Sequence, residues 1–410
     1  MSGRLTVISL YTGAGGLDYG FEAAGFRTAV ALEFDEICVQ TLRRNRRWPV
    51  IAEAIGEVDT RRILRTGGMK VGTADVLIGG PPCQPFSKSG HWATGYAKRL
   101  ADPRAATLEE YLRVLEDAQP RTFLMENVEG LGFRGKDEGL QYIRQRLAQI
   151  NKRKRTRYRC DVEVLNAADF GVPQLRRRLF IVGARDGRNF HFPDRTHADP
   201  GNPSLLAGET YRTAWDAFHD LSADSNEDLR VRGKWADLLP SVPEGQNYLW
   251  HTDRGGGEPL FGWRRRYWSF LLKLAKNLPS WTIQAQPGPA TGPFHWSSRR
   301  LSVREMSRLQ TFPGDIELAG DYADAQRQLG NAVPSLLAEV LAREIRRQLL
   351  DRPATSKRPR LALAAAPGPA PRPEPVKPVA AHFLRLRGKH EAHPGTGQGY
   401  SAAARLDLAT

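Results

Sequence analysis

The chain has 410 residues, a formal net charge of +15 and a hydrophobic fraction of 40%, which accommodates about two domains and favours a polyanionic partner. Three cysteines, at positions 38, 83 and 160, exclude a disulfide framework and fit no zinc-ligand spacing. Neither a membrane-spanning apolar run nor a secretory leader is evident, so we expect a cytoplasmic protein.

Short apolar strands alternate with helical stretches through the first 185 residues. Strands are predicted at 6–10, 28–32, 75–78, 121–125 and 178–182, and helices at 16–24, 109–118 and 138–150. This alternation predicts βαβ units and an α/β fold with a doubly wound, mostly parallel sheet. The sites of such sheets lie at the carboxyl ends of the strands.

The alternation ends near residue 190, and four regions are predicted. The α/β domain covers 1–189, and an irregular inserted domain rich in Gly, Pro, Trp and His covers 190–298. A segment at 299–350, with helices at 302–310 and 334–349, returns to the first domain. The tail at 351–410 carries eight prolines within 353–378, and we expect it to be largely disordered.

A glycine turn follows the first strand, at Tyr11-Thr12-Gly13-Ala14-Gly15-Gly16-Leu17. Glycines there let the backbone approach a ligand closely, and Glu33, after the second strand, offers acceptors for ribose hydroxyls. The turn lacks the third glycine of the dinucleotide fingerprint, so a purely structural turn is an equally good interpretation.

A cysteine stands after the strand at 75–78, in Gly79-Gly80-Pro81-Pro82-Cys83. A lone cysteine is usually a small buried hydrophobe, but two prolines at a strand end form a rigid turn that presents the side chain. Such a thiol becomes a nucleophile if its pKa is lowered or a base assists.

A carboxylate stands at the end of one later strand, and two arginines stand at the entry of another. Glu126 ends the strand at 121–125 and is either an ordinary surface acid or a group that engages N3 of a pyrimidine attacked at C6. Arg176 and Arg178 alternate into Leu179-Phe180-Ile181-Val182. They form either a solvated basic run or one face that meets phosphate or a base carbonyl.

Six ordered motifs together resemble the DNA (cytosine-5)-methyltransferase family of the bacterial restriction-modification type. Besides the glycine turn and Arg304–Pro313, these are Pro81-Pro82-Cys83-Gln84-Pro85-Phe86-Ser87, Glu126-Asn127-Val128, Gln174-x-Arg176-x-Arg178 and Gly330-Asn331-Ala332-Val333-Pro334. The similarity covers about 1–185 and 300–345. It implies a Rossmann-like, S-adenosylmethionine-dependent catalytic domain and a target-recognition domain in the insert.

The resemblance implies roles for the catalytic residues. Cys83 would attack C6 of a cytosine flipped out of duplex DNA, and the methyl group would pass to C5. Glu126 would engage N3 and the exocyclic amine, Arg178 the O2 side, and Arg176 would support the pocket. Asn127 would brace the cysteine loop.

The resemblance also implies binding residues. S-adenosylmethionine would be bound by Tyr11, Gly13, Gly15, Gly16, Leu17, Glu33, Asp59, Pro82, Asn331 and Val333. DNA would be contacted by Gln84, Ser87 and Arg104, and no metal is expected. Two positions depart from the family pattern: Tyr11 replaces the usual Phe, and Thr107 replaces a Leu that would contact the cofactor.

The insert contains Phe261-Gly262-Trp263-Arg264-Arg265-Arg266-Tyr267-Trp268, which interleaves basic and aromatic residues. The alternative is that 267–274 forms an amphipathic core helix, and we prefer this for Trp268 and Phe270. We expect a monomer that associates with double-stranded DNA of the bacterial nucleoid. A companion restriction endonuclease acting on the same site is a further expectation.

Three other functions are weighed against this interpretation. A tRNA-methylating branch shares the motifs but typically carries Cys-Phe-Thr, which is absent because Val39, Gln84 and Asp161 follow the cysteines. A catalytically silent DNA-binding regulator is disfavoured by the intact Cys83, Glu126 and Arg178. A dinucleotide-dependent oxidoreductase would leave the cysteine and arginine motifs unexplained.

Overall fold

The computed structural model describes residues 4–82, 106–129, 138–199, 201, 208–221, 227–263 and 267–388. A seven-stranded sheet, in the order β3-β2-β1-β4-β5-β8-β6, forms its centre. These strands are β1 Leu5–Leu10, β2 Phe26–Leu32, β3 Val50–Ile51, β4 Val76–Gly79, β5 Thr122–Val128, β6 Arg159–Asn166 and β8 Arg177–Ala184. Three short pairing segments are β7 Gln174–Leu175, β9 His197–Ala198 and β10 Glu209–Thr210, and β11 Ser280–Trp281 pairs with β7.

Nine α-helices lie among the described residues. They are α1 Gly16–Ala23, α2 Glu36–Asn45, α3 Thr60–Thr66, α4 Ala106–Ala118, α5 Glu138–Lys154, α6 Ala214–Phe218, α7 Val303–Leu309, α8 Tyr322–Asn331 and α9 Ser335–Gln348. The predicted strands and helices of the first 185 residues are confirmed, with ends shifted by up to four residues. Within the described part of the chain, no helix is long and apolar enough to cross a membrane.

Both faces of the sheet are buried, which explains the continuous apolar runs in the sequence. Alternate strand residues point to opposite faces: Leu77 and Phe123 face α3, α4 and α5, whereas Val76, Ile78 and Leu124 face α1 and α9. The doubly wound architecture is thus confirmed.

One strand reverses direction and thereby builds the site. β4 and β5 are parallel, with Gly79 opposite Met125, but β8 is antiparallel to β5, with Val128 opposite Arg178. The beginning of β8 therefore lies at the edge where β4 and β5 end. Residues far apart in sequence meet at this edge because one strand runs against its neighbours.

The C-terminal helix returns to the first helix, as expected for the segment at 299–350. A Cβ at Gly20 of α1 would lie 2.4 Å from Ala338 Cβ and 2.5 Å from the Glu339 nitrogen. Only glycine permits this approach of α1 and α9.

The insert has little regular structure but has a core of its own. Leu238, Leu239, Tyr248, Leu271 and Phe294 pack together there. The predicted helix over 267–274 is wrong: the segment is irregular, with isolated bridges, because it packs by turns against the 290–294 segment. Phe270 does contact the core, but Trp268 is 47% exposed.

The described part of the tail packs against the rest of the chain, unlike the largely disordered segment expected from its composition. The backbone nitrogens of Arg360 and Leu361 donate to the buried carboxylate of Glu339, and Phe383 enters the core of the insert. Extended proline-rich backbone needs no internal hydrogen bonds, so this segment is ordered by cores that other regions supply.

Candidate active site

A carboxylate and a guanidinium meet where β5 ends and β8 begins. Arg178 Nε lies 3.1 Å from Glu126 Oε1, and both side chains are mostly buried. Burial raises the pKa of Glu126, and the positive charges of Arg178 and Arg176 oppose that rise. Glu126 is therefore more readily protonated than an exposed glutamate, and a protonated carboxyl can donate a hydrogen bond to an aromatic ring nitrogen.

The turn that leads towards Cys83 is fixed beside this carboxylate. Asn127 Nδ2 donates to the Pro81 carbonyl over 3.2 Å, which agrees with the bracing role inferred from the sequence. A Cβ at Gly80 would lie 2.9 Å from Glu126 Oε2, so glycine leaves room for the carboxyl. The proposed nucleophile Cys83 and the proposed DNA contacts Gln84, Ser87 and Arg104 lie outside the described residues.

Arg176 is 1% exposed and links three regions rather than lining open space. Its guanidinium donates to the carbonyls of Gly330, over 2.8 Å, and Ile283, over 3.4 Å. Burial and the neighbouring Arg178 lower the pKa of Arg176, although a guanidinium stays protonated in proteins. Arg176 thus joins the segment between β7 and β8 to the end of the insert and to α8.

The glycine turn and Glu33, both candidates for cofactor binding, meet where β1 and β2 end. Glu33 Oε2 accepts from the Gly13 nitrogen over 2.7 Å, and Oε1 accepts from the nitrogens of Phe34 and Asp35. Three of the roughly four acceptor sites of the carboxylate are then used, which leaves room for one hydroxyl. Burial raises the pKa of Glu33, while these backbone donors lower it.

Gly13 differs from the other two glycines of the turn. A Cβ at Gly13 would meet nothing within 4 Å, whereas one at Gly15 would touch Tyr19 and Leu42. A Cβ at Gly16 would lie 2.4 Å from the Val333 carbonyl. Gly13 therefore borders open space that a ligand can occupy, and Gly15 and Gly16 permit packing.

The remaining cofactor candidates belong to several elements. Leu17 and Val333 are buried, and Asn331, at the end of α8, is exposed. Asp59 is exposed and caps α3 by accepting from the Arg61 nitrogen. Tyr11 donates through its hydroxyl to the Thr107 carbonyl over 2.6 Å, and Thr107 Oγ1 donates to the Pro82 carbonyl over 2.9 Å. The two departures from the family pattern, Tyr11 and Thr107, thus contact each other.

Sequence reasoning did not single out three residues that the structure brings to the site. Phe34, next to Glu33, is 68% exposed beyond the end of β2. Gln174 and Gln310 are fully buried and bonded to each other over 3.2 Å, and Gln174 also accepts from the Ile283 nitrogen. The position of Phe34, directly after an acid that ends a strand, could have indicated this residue from the sequence. The pairing of the two glutamines could not have been predicted, because they lie 136 residues apart.

Known proteins share both the sequence and the fold. The profile of the C-5 cytosine-specific DNA methylase family matches residues 5–347. The type II methyltransferase M.SacI of Streptomyces achromogenes is 41% identical over 377 residues, covering 85% of this chain and 94% of its own. The type II methyltransferase M.NgoFVII of Neisseria gonorrhoeae is 33% identical, and the match covers 84% of this chain and 87% of M.NgoFVII.

Among solved structures, the Entamoeba histolytica methyltransferase EhMeth has a TM-score of 0.57 at 15% identity and covers 85% of this chain and 99% of its own. The S. pombe Dnmt2 methyltransferase has a TM-score of 0.54 at 18% identity, and the match covers 85% of this chain and 99% of the Dnmt2 chain. The similarity to these solved structures shows the fold. The family is shown by the sequence relatives and by the family profile. Through its motifs, its sheet and its relatives, this chain belongs to the C-5 cytosine-specific DNA methylase family.

Proposed function

We propose that this enzyme extrudes a target cytosine from duplex DNA, attacks its C6 with Cys83 and methylates C5, as the modification component of a type II restriction-modification system. The buried pairing of Glu126 with Arg178, beside the Pro81-Pro82 turn that precedes Cys83, carries the proposal. A pocket with one donor-capable carboxyl and one guanidinium complements the N3, amine and O2 edge of cytosine.

The chemistry divides between the thiolate and the carboxyl. The Cys83 thiolate forms a bond to C6 while Glu126 donates a hydrogen bond to N3, so the negative charge that develops on the ring is stabilised. C5 then forms its bond to the methyl group and afterwards loses its proton. Elimination of the thiolate from C6 restores the aromatic ring. Extrusion is needed because a stacked base offers no access above its ring.

The methyl donor implied by the family and fold is S-adenosylmethionine, which supplies an electrophilic methyl group when bound. The space next to Gly13 fits such a ligand, because glycine leaves the backbone open there. Glu33 would hold a ribose hydroxyl through its remaining acceptor site, and exposed Phe34 would pack against the adenine. Asp59 would accept from the adenine amine, and Asn331 would close the site from α8.

The insert is proposed to choose the target sequence. It leaves the catalytic domain near 190 and returns at about 298. Gln174 and Arg176 attach its last segment to β7, β8 and α8 through Ile283 and Gly330. A domain fixed beside the base pocket can read base edges in the major groove while the extruded cytosine enters the pocket.

The test uses the nucleophile. Cys83→Ser should abolish methyl transfer and leave S-adenosylmethionine binding intact, and wild-type enzyme should be trapped covalently on DNA carrying 5-fluorocytosine at the target, because fluorine cannot leave as a proton. Conversion sequencing of host DNA identifies that target. Substantial turnover by Cys83→Ala would overturn the mechanism. Host DNA that a cognate endonuclease still cleaves would overturn the modification role.

A further inference from the structure

Two exposed tryptophans form a pair on the surface of the insert. Trp268 is 47% exposed and Trp281 is 36% exposed, and their rings meet edge to face with centroids 5.3 Å apart. Tryptophan offers more apolar area than any other side chain and is enriched at binding hot spots. A paired, exposed arrangement therefore indicates a contact surface.

The pair lies next to the segment that leads into the strand of the pocket arginine. Trp281 is the register partner of Leu175 in the parallel pairing of β11 with β7, and Thr282 Oγ1 donates to the Leu175 carbonyl over 2.7 Å. Gln174 and Arg176 are buried, whereas Leu175 and Arg177 face outward, because side chains alternate along extended backbone. Trp281 thus points to the same side as Leu175, and the pocket arginine Arg178 stands three residues farther along the chain than Leu175.

Both indoles are held on anchored backbone. Buried Asn247 donates through Nδ2 to the Trp268 carbonyl over 2.7 Å. The Ser280 nitrogen, next to Trp281, donates to the Pro173 carbonyl over 2.9 Å. A surface arranged before its partner arrives loses little conformational entropy on binding.

We propose that Trp268 and Trp281 contact the DNA duplex next to the extruded cytosine, packing against base and sugar faces that extrusion exposes. The inference rests on the proposed function. DNA is the fitting occupant for two reasons. The β11–β7 pair that carries Trp281 directly precedes β8, whose second residue is the pocket arginine Arg178, and the chain carries a formal net charge of +15, which favours a polyanion. Aromatic rings stack on any base, so this contact holds the distorted duplex without selecting its sequence.

Alanine at each tryptophan tests the contact, on a duplex that carries the site methylated by the wild-type enzyme. Trp281→Ala and Trp268→Ala should each raise KM for DNA about tenfold to hundredfold, with kcat at saturating DNA, S-adenosylmethionine affinity and melting temperature nearly unchanged. Trp281→Phe should retain most of the affinity. Leu278→Ala is the matched control, since Leu278 is an exposed apolar residue of the same insert, at 46%.

Two results would overturn the contact. One is a wild-type KM for DNA in the Trp268→Ala/Trp281→Ala double variant. The other is a fall in melting temperature that accompanies every loss of affinity and that Trp281→Phe does not rescue, because the pair would then be structural. Both results are compared with a wild-type enzyme that methylates its site in the same assay. Failure of the wild type to form 5-methylcytosine would count against the proposed function instead.

Discussion

At the base pocket, one carboxyl is subject to opposing influences. Burial raises the pKa of Glu126, whereas Arg178, 3.1 Å away, and buried Arg176 favour its ionised form. The net effect is a raised pKa of Glu126. A raised pKa suits a group that donates to N3 of the cytosine as negative charge develops on the ring. Arg178 pairs with the carboxyl, and in the proposed mechanism it contacts the O2 side of the base.

Glu126→Gln should lower kcat by about 10²–10⁴-fold, because an amide can donate one hydrogen bond but cannot supply a proton. Its affinity for S-adenosylmethionine should not change. Glu129→Gln is the matched control: Glu129 also pairs with an arginine, Arg177, over 3.0 Å, but on the outer face. Single-turnover kinetics and cofactor titration measure both. If Glu126→Gln lost affinity for S-adenosylmethionine but kept normal turnover at saturating cofactor, Glu126 would belong to the cofactor site and not to the base pocket.

Asp18 is a second buried acid, away from the base pocket. Its carboxylate accepts from Ser9 Oγ over 2.9 Å and from Thr28 Oγ1 over 3.0 Å, yet burial raises its pKa from 3.8 to about 7. Between these two values the folded protein keeps a proton that the unfolded chain releases. The free energy of unfolding therefore falls as the pH rises through this window.

Asp18→Asn should remove that dependence, since an amide does not titrate and can keep both hydrogen bonds. Denaturant unfolding at pH 5 and pH 8 should show the wild type losing stability on the order of a few kcal/mol relative to the variant. An identical pH dependence in both proteins would show that Asp18 is ionised throughout.

At the scale of elements, the contact between α1 and α9 closes the catalytic domain. Alanine is the better helix former than glycine by about 1 kcal/mol, but at Gly20 its Cβ would overlap Ala338 and Glu339. We expect Gly20→Ala to destabilise the protein by about 1–3 kcal/mol, measured by the denaturant midpoint.

Gly56→Ala is the control, because a Cβ there would meet nothing within 4 Å. Its effect should stay within about 0.5 kcal/mol. Equal denaturant midpoints for Gly20→Ala and Gly56→Ala would mean that α1 and α9 can move apart at little cost in free energy. The close contact between these helices would then contribute little to the stability of the protein.

At the scale of the whole molecule, the tail crosses from the catalytic domain to the insert. Buried Lys276 donates to Glu244 over 2.5 Å and, from the tail, to the Arg372 carbonyl and the Glu374 carboxylate, each over 3.2 Å. Farther along, Phe383 stacks on Trp235 with centroids 5.6 Å apart. The tail therefore completes the insert and fixes its attachment.

Removal of 351–410 should destabilise the protein and weaken DNA methylation, because Lys276 loses two partners and the carboxylate of Glu339 loses two donors while remaining buried. Removal of 389–410 alone is the control and should change little. Calorimetry and methylation assays compare the two truncations. Unchanged melting and activity in the longer truncation would contradict the clamping role. A changed target sequence would make the tail part of recognition.

The sequence by itself determined the family and the α/β alternation, and it supplied the candidate residues of the proposed base pocket. This was possible because strand ends, glycine turns and the cysteine motif are local features with fixed spacing. Tyr11 and Glu33 follow strands and Glu126 lies near the end of one, so their positions at one edge could be expected from the rules of parallel sheets.

Only the tertiary structure decided the features that depend on distant partners. The reversed β8 pairs Arg178 with Glu126, and the end of the insert gives Arg176 its carbonyl acceptors. Trp268, expected in a core helix, is exposed, and the tail, expected to be disordered, packs through Phe383. A local pattern indicates whether a residue can be buried, but the surface that buries it can be supplied by residues more than a hundred positions away.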